Sequence, residues 1–184
     1  MNKAEVLRYL RTNSRTQDEG ILSLVDRAME QVERTAMPRT LYRIYDCCVT
    51  DDGVRIGDRF FRSKRLADNM AGCSRVVVFG ATLGTGIDRI IKANSATDIA
   101  MAMALQAAAA SKIEEICDDL EQQIITKHGV TLRQRYSPGY FDLDISQQRD
   151  LFSLLELTKR IGLTLTDTCE MVPAKSVTAF IGID

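Results

Sequence analysis

Histidine is nearly missing from this chain, which carries a single one, His128. A multi-histidine metal centre is therefore impossible, and a Ser/His/Asp nucleophile is nearly excluded. Cysteine is present five times but without a C-x-x-C pair or framework spacing. Cys47 and Cys48 are adjacent on a predicted strand and point to opposite faces, and Cys169 reads as a free structural thiol. This usage suits reduced thiols and a cytoplasmic protein. Charge of one sign is also lacking: the net charge of −1 gives no electrostatic reason to expect nucleic acid or an anionic membrane as a partner. The small basic cluster Arg62, Lys64 and Arg65 does not change that. No apolar run approaches a membrane-spanning length, and the amphipathic N-terminus lacks a signal peptide's apolar core. The Gly-rich stretch at 80–86 has no Gly-Lys-Ser/Thr. Arg89 stands where a dinucleotide fingerprint needs a third glycine, so a tight strand-to-helix turn is the plainer reading.

What remains is ordinary globular material. Hydrophobic residues make up 45% and charged residues 27% of 184 residues, enough for one domain with a real core. Periodicity predicts helices over 3–11 and 18–35, the second with Ile21, Val25, Ala28, Met29 and Val32 on one face. A strand at 39–49, an Asp-Asp-Gly turn and a strand at 54–61 form a predicted hairpin. A short helix at 64–70 precedes a buried central strand at 75–79. Helices follow at 87–92 and 97–127, the latter with Met103, Ala109, Ala110, Ile113, Ile116, Cys117, Leu120 and Ile124 in its stripe. Lys127, His128 and Gly129 suit its C-terminus. Ser146 is the expected N-cap of a helix over 147–161, and 176–183 alternates as a final strand. With a hairpin and no β-α-β cycle, the order predicts a single α+β domain over 1–184.

The chemically distinctive segment is Arg135-Tyr-Ser-Pro-Gly-Tyr140. A guanidinium is a planar fork for carboxylate or phosphate, proline stiffens the backbone, and glycine allows close approach to a ligand. The plain alternative is a turn whose rings pack on the core. Asp142 and Asp144 read as turn caps. The acidic run Glu114, Glu115, Asp118, Asp119 and Glu121 on the long helix reads mostly as a solvated face, with one or two members free to point at the Arg135 loop.

Arg135, Gly139 and Tyr140, then the Leu-rich stretch 151–157, then Gly162, Leu165 and Thr166, then Met171, Pro173, Ser176 and Val177 occur in one order over about fifty residues. This order resembles the activation domain of vitamin B12-dependent methionine synthase. The resemblance implies an antiparallel twisted sheet flanked by helices, including one long central helix. It implies S-adenosylmethionine bound beside a cobalamin carried by another module. There, an electron from a flavodoxin-type donor converts inert Co(II) to Co(I), which the methyl group traps. By resemblance, Arg135 pairs with the ligand's carboxylate. Tyr136, Ser137 and Gly139 meet the adenosine through their backbone, and Tyr140 shapes the wall. Glu115 or Asp119 faces the ammonium and sulfonium.

Three departures accompany it: the chain is shorter than the family domain, it stops soon after the Ser-Val strand, and residues 129–134 contain no acid before Arg135. The implied role is an accessory to reductive reactivation of a cobalamin-dependent methionine synthase or other corrinoid protein. The alternative is a non-catalytic module that docks on a corrinoid methyltransferase without binding S-adenosylmethionine. A third class is an unrelated small-molecule binder built around the 80–86 turn.

Overall fold

In a computed structural model, which describes residues 1–13 and 15–184, five strands form one antiparallel sheet in the order β3-β2-β1-β4-β7. β1 (Arg39–Thr50) joins its two parts. Residues 39–46 pair with β4 (Arg75–Thr82), and residues 47–50 pair with β2 (Gly53–Ile56). β3 (Arg59–Arg62) pairs with β2, and β7 (Ser176–Ile183) pairs with β4. The strand expected over 54–61 is thus two strands, because Gly57 takes φ 58 and turns the chain back.

One face of the sheet carries α1 (Lys3–Tyr9), α2 (Glu19–Thr35), α4 (Thr85–Ser95) and α5 (Ile99–His128). Val77, Phe79 and Ala81 of β4 and Ala179, Ile181 and Ile183 of β7 point into this layer. α5 has 30 residues and spans roughly 45 Å. Asp98 caps its start through Met101 N–H, and Gly129 ends it at φ 62. Ala107, Ala108 and Ala109 are buried, so α5 lies close to its neighbours. Met103, expected in the buried stripe, is 56% exposed instead. It faces away from the sheet, as its helical phase relative to Ala104 and Leu105 requires. His128 is exposed and meets the Tyr42 hydroxyl at 3.0 Å.

The other face carries α3 (Lys64–Asn69), α6 (Gln148–Leu155) and α7 (Leu157–Ile161) over Val76, Val78 and Phe180. Here the expected helix over 147–161 is broken at Glu156, whose φ is 54. The break lets Leu157 fill the notch above Gly80, where an added Cβ would lie 2.8 Å from its Cδ2. Gly80 therefore serves packing inside β4, and the strand runs on to Thr82. The turn left over is short, and two of its amides are already used. Leu83 N–H donates to Lys175 O, and Gly84 N–H donates to Thr82 Oγ1. No residue of 80–86 lines the cavity found elsewhere in the fold. Ser146 is not the helix cap either. Asp144 accepts its N–H at 2.8 Å, opening a 3-10 turn over Ile145–Gln147 before α6.

β7 is buried on both faces from Thr178 onward, because helices lie above and below it. Its outer edge is covered by the chain after α5. Tyr136 and Phe180 exchange both backbone hydrogen bonds at 2.9 Å, and Arg133 N–H donates to Gly182 O. The cover stops at Pro138, which has no N–H to give.

Candidate functional site

Where the cover of β7 stops, a cavity of about 1270 Å³ opens. Its walls are the 134–141 loop, Arg65, Asp68 and Asn69 of α3, Glu114 of α5, the start of β7, and the hairpin of β5 (Thr164–Leu165) and β6 (Met171–Val172) from Thr166 onward. That exceeds the volume of a typical small-molecule site.

The loop is built by its own hydrogen bonds. Gly139, at φ 90, donates to Leu143 O at 2.8 Å, and Leu143 is buried as the anchor. Asp142 accepts from Ser63 Oγ at 2.5 Å and from the N–H groups of Lys64 and Arg65. These bonds, the Ser63 hydroxyl first, hold its carboxyl below the usual range. The loop is thereby tied to the start of α3. Tyr136 is buried, while Tyr140 and Phe141 are 64% and 83% exposed at the rim. The opposite wall is fixed from α6. Gln148, itself buried, donates to Cys169 O and accepts from Thr178 Oγ1. Arg149 donates to Asp167 O.

Arg135 lines the cavity and is also tied to α5. Its Nη2 lies 3.1 Å from Glu114 and 2.8 Å from Asp118. Its Nη1 lies 3.0 Å from Glu121 Oε1, out of line for a hydrogen bond, and both of these buried atoms lack a hydrogen-bond partner. Burial opposes the guanidinium's charge, but Glu121 and its neighbours hold its pKa above the ordinary value. Burial pushes the Glu121 carboxyl up, against the pull of Arg135. Glu114, Asp118 and Glu121 stand at i, i+4 and i+7, one face of the helix. That spacing is the signal in the sequence that picks these three out of the acidic run.

The two acids expected to face a ligand do not reach the cavity. Glu115 turns to another side of α5, where it binds the Met1 ammonium and Lys112, each at 3.1 Å. Asp119 is exposed and does not line the cavity. One residue on a helix is a rotation of about 100°, so the carboxylate at the cavity is Glu114 instead. Arg135, Tyr136, Ser137 and Tyr140 line the space together, whereas Gly139 shapes the turn behind them. Gln148, Thr178 and Asn69 also line it and carry no motif that would announce them. Cys169 is buried at the floor. Elsewhere, burial pushes the Cys47 thiol up to about 11 and the Cys117 thiol up to about 12, and Cys48 alone of the five is exposed.

The family described as the vitamin B12-dependent methionine synthase activation domain matches residues 66–183. The chain belongs to this family. Every residue lining the cavity except Arg65 falls inside the matched range. The fold agrees with that of the MetH reactivation domain bound to AdoHcy. The TM-score is 0.64 at 17% identity, covering 90% of this chain and 67% of that one. No curated protein sequence matches the chain. Activation-domain architecture thus extends over more of the chain than the sequence match does.

Proposed function

We propose that residues 1–184 act as one activation-like domain that binds S-adenosylmethionine in this cavity. Its role is then to assist reductive reactivation of a cobalamin-dependent methionine synthase or other corrinoid protein. The observation that carries this reading is the pairing of Arg135 with Glu114 at one end of a large, partly aromatic cavity. A fork of N–H donors beside a carboxylate complements the two charges of an amino-acid zwitterion. The resemblance of the fold to an AdoHcy-bound reactivation domain supports the same choice of ligand.

In this arrangement Arg135 holds the ligand's carboxylate and Glu114 faces its ammonium and sulfonium. The backbone of Tyr136 and Ser137 meets the adenosine, and Tyr140 closes one wall. When bound, S-adenosylmethionine supplies a methyl group on a good leaving group, and a partner's reduced cobalamin accepts it. The chain's residues bind and orient, so no general base is needed. The electron comes from outside, from a flavodoxin-type donor. The reading places the domain in the cytoplasm with its partner.

The test is thermal unfolding with and without S-adenosylmethionine. A native-state ligand must raise the melting temperature by mass action, and an unchanged transition at millimolar ligand sinks the reading.

A second reading keeps the docking role and drops the ligand. It is favoured by the three carboxylates that already occupy Arg135 and by the exposed rings of Tyr140 and Phe141. Retention of a corrinoid methyltransferase on the immobilised chain, together with no heat of S-adenosylmethionine binding, would establish it.

A further inference from the structure

The charges around the cavity do not balance. Asp68, Glu114 and Glu170 line it against Arg65 and Arg135, three carboxylates to two guanidiniums, a surplus of one negative charge. Behind Arg135 stand Asp118 and Glu121, at 2.8 and 3.0 Å from its nitrogens, which raise the surplus to three. Arg135 and Glu121 are sheltered, with 24% and 21% of their side chains exposed, whereas Asp118 is 68% exposed. The field of Glu121 is therefore only partly screened by water, and that of the exposed Asp118 is screened more strongly. A single guanidinium cannot cancel three carboxylates, so whatever occupies the space sits in a negative potential.

We propose that the α5 carboxylates behind Arg135 make this cavity selective for a cationic ligand. It then prefers the sulfonium S-adenosylmethionine to the uncharged thioether S-adenosylhomocysteine. This rests on the S-adenosylmethionine reading above. The two molecules share the adenosine and the amino-acid end, and they differ by one methyl group and one positive charge at sulfur. Contacts to the shared parts bind both equally and cannot separate them. The long-range field of Asp118 and Glu121, neither of which touches the cavity, acts on the charge alone. At distances of several ångströms in a half-wet site, such a surplus gives a preference on the order of tenfold at low salt. The consequence is functional: loss of the methyl group removes the charge that holds the ligand, so the spent molecule leaves.

The experiment is calorimetric binding of three probes to the full chain at pH 7.5. The probes are S-adenosylmethionine, S-adenosylhomocysteine and sinefungin, in which an ammonium-bearing carbon replaces the sulfonium. We expect the two cations to bind about tenfold more tightly than the thioether at low salt, and the gap to narrow at high salt. In Asp118→Asn with Glu121→Gln the gap should shrink roughly threefold or more. Equal binding of all three probes overturns the charge argument and leaves the ligand reading intact. So does a gap indifferent to salt, or a sinefungin affinity matching the thioether. No binding by any probe removes both. The salt series on the unaltered chain decides the matter even if the double variant fails to fold.

Discussion

The two faces of the sheet are filled in different ways. On the α5 side, four helices cover the strands with Val, Ile, Leu and Ala, and the buried residues form one continuous cluster. On the α6 side, the helices are short, one is broken at Glu156, and the layer gives way to loops around the cavity. The first face supplies rigidity and the second supplies a concave site. β7 takes part in both, with Ala179 and Ile181 in one core and Phe180 in the other. A site on the edge of a doubly buried strand is held by packing that the ligand need not provide.

The largest effects should fall on the filled face. Leu105→Ala, at a fully buried position, should cost about 2–5 kcal/mol of unfolding free energy in denaturant titration. A cost below 1 kcal/mol would mean that this face is not the structural half. On the cavity side, Arg135→Ala should weaken S-adenosylmethionine binding by about 2 kcal/mol or more, the scale of a charge-assisted pair. If calorimetry finds binding unchanged and stability reduced instead, Arg135 only braces α5, and the contrast between the faces fades.

Acid provides a finer test. The Asp142 carboxyl is held below its unfolded value, so its stabilisation is present above about pH 4. That stabilisation is lost as pH falls through the folded pKa. Asp142→Asn should therefore be less stable than the parent at neutral pH, and the difference should close in acid. A constant difference across a pH series would show that the loop is not anchored there. The smallest effect belongs to the rim. Phe141→Ser, at a site 83% exposed, should change unfolding free energy by no more than about 0.5 kcal/mol. A larger loss would make the rim part of the scaffold.

The same contrast governs what the sequence discloses. Helical and strand periods are local signals, so α2, β1, α5 and β7 are legible within a residue or two. The break at Glu156 is not. It follows from Leu157 fitting over Gly80, a contact between residues 77 apart. The Gly57 turn hides inside an apolar alternation that continues on either side of it. Within the site, Arg135, Tyr136, Ser137 and Tyr140 are read together because they fall within six consecutive residues. Glu115 and Asp119 lie off the cavity because helix phase turns them away from it. Continuing the stripe of Ile113, Cys117 and Leu120 one position on places Glu114, Asp118 and Glu121 beside it. Asn69, Gln148 and Thr178 come from three separate elements, and only the folded chain brings them to one cavity.

The sheltering of four sulfur atoms leaves the protein with a ready-made attachment point. A maleimide dye at neutral pH needs an accessible thiolate, and Cys48 alone meets the first condition. It stands on β1, across from Arg55 and on the far side of β4 from β7. A fluorophore placed there would report approach of a partner or tumbling of a complex without occupying the cavity.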